Sequence, residues 1–306
     1  DEAYALWEDR SLDFAPLPSL NREDVLENSP LKVTMVTEPS IFYLAFNHES
    51  ELFSRPELRR AFAAAIDREE IIEQVLNELG VPARHLSPPG VYGSPPFDQV
   101  GVGYNPDYAR LQLIQAGVTA CRFLPPIRYM VNSSDASLFQ AELVREMWVE
   151  ELGCPEDLII IEQVPFGELL AATHAGAGEN RPDVWDLGWE GDYPDAHDWL
   201  TQLLHCEESD RRLQRSCDVI DNDILISGIL NENERQSAYR SIETRLFGED
   251  GLMPVAPIYV SANYFVRQTW VDIRPSIGLE GVYHYNYLPL DAFFVDAELK
   301  AIEQGQ

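Results

Sequence analysis

Residues 187–200 read LGWEGDYPDAHDWL and gather four carboxylates (Glu190, Asp192, Asp195, Asp198), two tryptophans (Trp189, Trp199) and His197 within fourteen positions. Ionised acids beside aromatic rings suit three tasks. They grip a cation through charge-assisted hydrogen bonds and ring faces. A pair of them splits a glycosidic bond, with the carboxyl groups about 5–5.5 Å apart for retention or about 6.5–9.5 Å apart for inversion. Singly, each caps a helix. Asp195 and Asp198 stand beside the apolar run WLTQLL and are the cap candidates, whereas Asp192, further from it, is either a solvated loop acid or a ligand group. Trp185 and Trp199 read as core, as does Trp148 on a helix with an apolar stripe at Leu143, Val144 and Met147.

Other chemistries are poorly supplied. Lysine occurs only at Lys32 and Lys300, so there is neither a GKS/T phosphate loop nor an interior lysine nucleophile. The glycines of GVGYNP and GAGENR miss the dinucleotide pattern and read as turns. Six scattered histidines form no HExxH motif, and neither a metal site nor a cofactor is expected. Four cysteines form no CxxC pair. Their even count and spacing fit two disulfides in an oxidising compartment, with Cys121 and Cys154 flanking a helix-length segment and Cys206 and Cys217 closing a short loop. Three pairings are formally open, and free buried thiols are the alternative.

A chain of 306 residues with 45% hydrophobic content buries one large or two medium domains. Its net charge of −30 repels nucleic acid and anionic lipid. The longest purely aliphatic run, residues 158–161, falls far short of the roughly 20 apolar residues of a membrane span. The opening DEAYALWEDRSLDF does not read as a signal peptide, having neither a basic start nor an apolar core; in a trimmed chain the targeting elements would lie upstream.

The elements that must position the acidic segment follow from periodicity. Strand-like runs at 31–36 and 41–46 precede two helices within RPELRRAFAAAIDREEIIEQVLNELG, with Asp67 capping the second and Gly80 as its stop. Residues 81–106 are rich in proline and glycine and read as an ordered functional loop or surface wrap. A helix beginning near Pro106 and stopping at Gly117 follows. Then come strand 127–132, helix 136–153, strand 158–164, helix FGELLAATHAG and strand 183–189, a β-α-β-α-β succession that predicts parallel pairing. Ligands of open α/β sheets bind beyond the carboxyl ends of strands, and WEGDYPDAHDW occupies such an end. Two more helices, strands at 253–260 and NYFVRQ, and an aromatic run VYHYNYLPLDAFFV complete the chain.

In order, YLAFN, FSRPELRRAFAAAIDREEIIEQVL, YNPDYARLQLIQAGV, LVREMWVEELG with IIIEQVPFGELL, WDLGWEGDYPDAHDWL and PVAPIYV resemble the family 5 extracellular solute-binding proteins, the oligopeptide- and dipeptide-binding receptors of bacterial ABC importers. The resemblance covers nearly the whole chain. It implies an α/β, periplasmic binding protein-like (type II) lobe, a mixed β-sheet flanked by helices, plus part of a second lobe. Residues 1–47 would belong to the first lobe and end in a crossing strand, 48–260 would form a complete lobe, and 261–306 would return to the first. Such chains normally carry a long segment before YLAFN, so this sequence reads as a fragment.

By the same resemblance the protein is a monomeric extracytoplasmic receptor, periplasmic or a cell-surface lipoprotein, that binds a small peptide for ABC permease subunits without converting it. Asp192 would hold the peptide α-amino group, the backbone from Gly188 to Glu190 would pair with the peptide main chain, and Trp189 would cover the cation or a side chain, with Tyr193 beside them. The sequence has Asp195-Ala196 where the motif often ends in DP, so Asp195 is the alternative anchor. A sugar receptor of the same fold, a receptor-like sensor module of a larger regulator and a glycoside hydrolase are the competing readings. The hydrolase is disfavoured because its acids would come from one loop rather than from separate strand ends.

Overall fold

Strand-forming and helix-forming runs alternate along the chain, and a computed structural model describing residues 2–29, 32–210, 212–273, 283–284 and 293–304 shows how they assemble. The chain opens with α1 (Glu2–Glu8), β1 (Phe14–Pro16), α2 (Ser19–Asn28), β2 (Val33–Thr37) and β3 (Ser40–Phe46). Next come α3 (Pro56–Ala64), α4 (Arg68–Gln74), β4 (Gly80–Pro82), α5 (Pro106–Gln115), β5 (Ile127–Asn132), α6 (Asp135–Leu152), β6 (Ile159–Val164), α7 (Phe166–Thr173) and β7 (Val184–Glu190). The remainder holds α8 (Ala196–Trp199), α9 (Val219–Ser227), α10 (Glu232–Phe247), β8 (Val255–Arg267), β9 (Val271–Ile273), β10 (Tyr283–His284), β11 (Phe293–Val295) and α11 (Ala297–Glu303). Most of VYHYNYLPLDAFFV lies outside the described residues.

Strands run in the order β10-β2-β8-β3-β7-β5-β6, with β1 and β4 also pairing with β8. β5 lies parallel to both β6 and β7, as the β-α-β-α-β pattern predicts, whereas β3 is antiparallel to β7 and β8. The sheet is therefore mixed. Its main core packs Leu44, Phe62, Tyr129, Trp148, Trp185 and Trp199, all buried. Each fully buried apolar side chain of this kind contributes about 1.5–3 kcal/mol. A second, smaller core of Tyr4, Trp7, Ala15, Leu17 and Val25 gathers on Val266, near the far end of β8.

Local chemistry fixes the helices around the site. The Asp67 carboxylate accepts from the Glu69 and Glu70 N–H groups and starts α4 as predicted. The stop differs from expectation: α4 ends at Gln74, Asn77 and Glu78 turn the chain at positive φ, and Gly80 begins β4. Ser134 caps α6 and Gly153 ends it in the left-handed conformation, φ 65°. Trp148 donates from Nε1 to the Phe62 carbonyl at 2.9 Å and meets the Phe62 ring edge to face, locking α6 to α3. The strands expected at 253–260 and NYFVRQ are one thirteen-residue strand, β8. Ser261 and Asn263 do not break it, because they alternate outward and the Asn263 amide reaches Glu38 Oε1 at 3.0 Å.

The proline-rich loop is tied down from α10. Glu243, fully buried, accepts from the Ser87 N–H at 2.9 Å, the Leu86 N–H at 3.3 Å and the Ser87 hydroxyl, and lies 3.5 Å from His85 Nδ1. Burial pushes its carboxyl up, but the adjacent His85 and then the Ser87 hydrogen bonds outweigh that and hold it below the ordinary range. Both disulfides form: Cys121–Cys154 and Cys206–Cys217, with Cα separations of 4.7 and 5.1 Å.

Candidate functional site

β7 emerges from the core and turns into the acidic loop. Val184 and Trp185 are buried, and from there exposure rises toward Gly188 and Glu190. On one side β7 pairs with β3 along its whole length, Val184↔Phe46 to Glu190↔Ser40. On the other, the ladder to β5 stops after Tyr129↔Val184 and Met130↔Trp185. Beyond Trp185 the ladder between β7 and β5 ends, and the stretch from Asp186 to Trp189 offers that side as an edge where an extended chain can add. Gly188 lets the strand lie close to β3, since a Cβ would come within 2.9 Å of Phe42 Cε1 and push that ring aside.

Asp198 organises the loop beyond. Its side chain is buried. Oδ2 accepts from Trp189 Nε1 and from the Asp192 N–H, each at 3.1 Å. Burial raises its pKa, with the neighbouring Asp192 carboxylate pushing the same way and the two donors pulling it down. Asp198 was expected as a helix cap and is instead the clamp that fixes Trp189 and Asp192. Asp195 does cap, accepting from the His197 N–H at 3.0 Å, and it is further engaged by Arg235 and by the Tyr239 hydroxyl at 2.7 Å. The alternative anchor is thereby already occupied.

The loop is pinned elsewhere too. The Gly191 N–H donates to the Pro39 carbonyl at 2.9 Å, the Tyr92 N–H to Pro194 at 3.1 Å, and the Ala196 N–H to Tyr92 at 2.9 Å. Against this fixed backbone the Asp192 side chain is exposed, and its carboxylate takes part in no hydrogen bond or ion pair among the described residues. Tyr193 is 40% exposed beside it, with its hydroxyl 2.9 Å from His197 Nδ1. Gly188, Trp189, Glu190, Asp192 and Tyr193 therefore form one continuous strand tip and loop.

A cavity of about 200 Å³, which the sequence did not reveal, lies between the carboxyl end of β5, the middle of β7, β3 and β8, with α6 and α7 beside it. Phe42, Leu169, Leu187 and Tyr259 contribute apolar wall, Asn132, Ser137 and Gln140 uncharged polar groups, Gly188 also lines it, and Asp186 is its acid. The Tyr129 hydroxyl donates to Asp186 Oδ1 at 2.6 Å and Gln140 Nε2 donates to Oδ2 at 3.0 Å. Burial pushes this carboxyl up to about 7, against the lowering of the two hydrogen bonds. A sequence signal did exist, an acid interrupting the apolar alternation VWDLGW, but its meaning depends on residues 57 and 46 positions away.

His205, Cys206 and Asp221 also converge, with potential ligand atoms within 4.8 Å of one another. Cys206 is committed to its disulfide and Asp221 pairs with Arg215, so this cluster is structural rather than a metal centre.

The chain belongs to the family described as bacterial extracellular solute-binding proteins, family 5, whose middle-region model matches residues 1–211. It is 25% identical over 268 residues to the oligopeptide-binding protein OppA of Bacillus subtilis, covering 84% of this chain and 44% of that one. It is also 24% identical over 247 residues to di/tripeptide-binding protein 3 of Pseudomonas aeruginosa, covering 78% of this chain and 43% of that one. The chain spans less than half the length of these curated relatives. Its structure matches the unliganded open form of the periplasmic murein tripeptide binding protein MppA with a TM-score of 0.76 at 22% identity, covering 96% of this chain and 55% of that one. The fold is thus the type II periplasmic-binding-protein α/β arrangement. Among the described residues no helix is long and apolar enough to cross a membrane.

Proposed function

We propose that this chain is the ligand-gripping part of a monomeric extracytoplasmic receptor that binds oligopeptides or dipeptides and presents them, chemically unchanged, to the permease subunits of an ABC importer. The observation that carries this reading is the Asp192 carboxylate, solvent-exposed and without a partner among the described residues, on a backbone clamped by buried Asp198. An ammonium stripped of water needs ionised acceptors, and each charge-assisted hydrogen bond contributes about 1.5–3 kcal/mol. The α-amino group of a peptide supplies such a donor.

The rest of the site supports the same reading. The outer half of β7, past its last pair with β5, offers backbone groups to an extended peptide irrespective of its sequence. Trp189, fixed through its indole N–H, offers an aromatic surface to the cation or an adjacent side chain. A loop pinned before binding loses little entropy on binding. In this reading residues 1–47 and 261–306 belong to one lobe and 48–260 to the other; the separate cores around Trp148 and around Val266 are consistent with that division. Two disulfides fit an oxidising, extracytoplasmic location.

Titration calorimetry of the full-length protein against a library of short peptides tests the proposal. Saturable one-to-one binding of peptides is expected. Failure of every peptide, together with saturation by an oligosaccharide, would reassign the receptor to sugars.

A further inference from the structure

The cavity under Gly188 holds an acid without a counter-ion. Asp186 forms no ion pair among the described residues; its neighbours are the Tyr129 hydroxyl and the Gln140 amide, each donating to a different carboxylate oxygen. A carboxylate has about four acceptor sites, so lone pairs remain on both oxygens. The lining is mostly apolar, its polar members besides Asp186 being the uncharged Tyr43, Asn132, Ser137, Gln140 and Tyr259, so none of them brings a positive charge to the acid; Tyr129 from β5 and Tyr259 from β8, which face it, both have raised pKa values that leave them neutral. Desolvating an ionised acid without a cation is costly, and that cost is recovered when a cation arrives.

We propose that this cavity receives one side chain of the ligand, and that Asp186 makes it selective for a side chain ending in an ammonium or guanidinium group. The inference rests on the peptide reading above and extends it from the backbone to specificity. Phe42, Leu187 and Tyr259 accommodate the methylene stem of a lysine or arginine, while the charged head meets Asp186. A carboxylate-bearing side chain is repelled by the same group. The cavity and Asp192 lie along one strand and its following loop, Gly188 being four positions before Asp192, so that at most roughly 13 Å of chain separates them. One bound peptide therefore reaches both.

The test is calorimetry on the full-length protein with matched tripeptides carrying lysine, norleucine or glutamate at each position in turn. At one position lysine is expected to bind at least about tenfold tighter than norleucine, with glutamate weakest. Asp186→Asn should collapse the lysine preference while retaining the norleucine peptide. Should that variant misfold, the wild-type protein decides: its lysine-to-norleucine affinity ratio should rise between about pH 5.5 and about pH 8.5 as Asp186 ionises. Equal binding of the three peptides at every position, a ratio unchanged with pH, or a lysine preference surviving in a folded Asp186→Asn variant would overturn the proposal while leaving peptide binding intact. Absence of binding by any peptide would overturn both.

Discussion

Replacing Asp198 by alanine tests how the loop is held. Both of its hydrogen bonds, from Trp189 Nε1 and from the Asp192 N–H, converge on the single oxygen Oδ2. Each is a bond to an ionised acceptor, worth about 1.5–3 kcal/mol by itself. The gain is reduced because the carboxylate is buried and stands beside Asp192, both of which raise its pKa. The net cost of Asp198→Ala should be about 2–3 kcal/mol. Asp198→Asn keeps an oxygen at the same place and should lose only about 1 kcal/mol, its donors now meeting a neutral acceptor. Urea denaturation measures both. Peptide affinity should fall about tenfold in the alanine variant, since the Asp192 backbone must then be ordered on binding. An alanine variant within about 0.5 kcal/mol of wild type, or an asparagine variant as damaged as the alanine one, would refute the clamp.

Two further predictions concern stability. The Asp186 carboxyl titrates at about 7 in the folded protein against an ordinary 3.8, so the folded state holds this proton more tightly. Its stabilising contribution is complete below the ordinary value and is lost as pH rises through about 7, by roughly 2–4 kcal/mol. Asp186→Asn removes that dependence, and denaturation at about pH 4.5 and about pH 8 checks it: a difference between variant and wild type that does not change with pH would contradict the burial argument. Opening Cys206–Cys217, which spans a sequence separation of 11, should cost about 3 kcal/mol in the chain-entropy account, and opening Cys121–Cys154, separation 33, about 4 kcal/mol. The paired serine variants followed by thermal unfolding measure this, and a larger loss at the shorter loop would contradict the entropic ordering.

Whatever was written in local periodicity could be read from the sequence. β5, α6, β6 and β7 appear within a residue or so of their expected limits, because β-branched runs and a helical apolar stripe each need only neighbours along the chain. Trp148, Trp185 and Trp199 are core, as their size predicted. What failed depends on distant partners. The continuity of β8 past Ser261 is imposed by β2, whose residues supply the ladder from Ala262 onward. α1 packs through Tyr4 and Trp7 against a core that includes Val266, a contact invisible in its own seven residues. The site divides similarly. Asp192 and its neighbours are legible as an unusual cluster, and Asp195 as a cap. Asp198 bonds backward onto Trp189 and Asp192, and Asp186 becomes unusual only through Tyr129 and Gln140.

The central claim is that the Asp192 carboxylate takes a ligand ammonium. Calorimetry of the full-length protein and its Asp192→Asn variant, each with a peptide and with the same peptide acetylated at its amino terminus, addresses it directly. The account predicts that acetylation and the substitution each weaken binding by about tenfold to a hundredfold, and that together they weaken it little further, because both remove one interaction. Undiminished binding of the acetylated peptide to wild type, or of the free peptide to the variant, would contradict it.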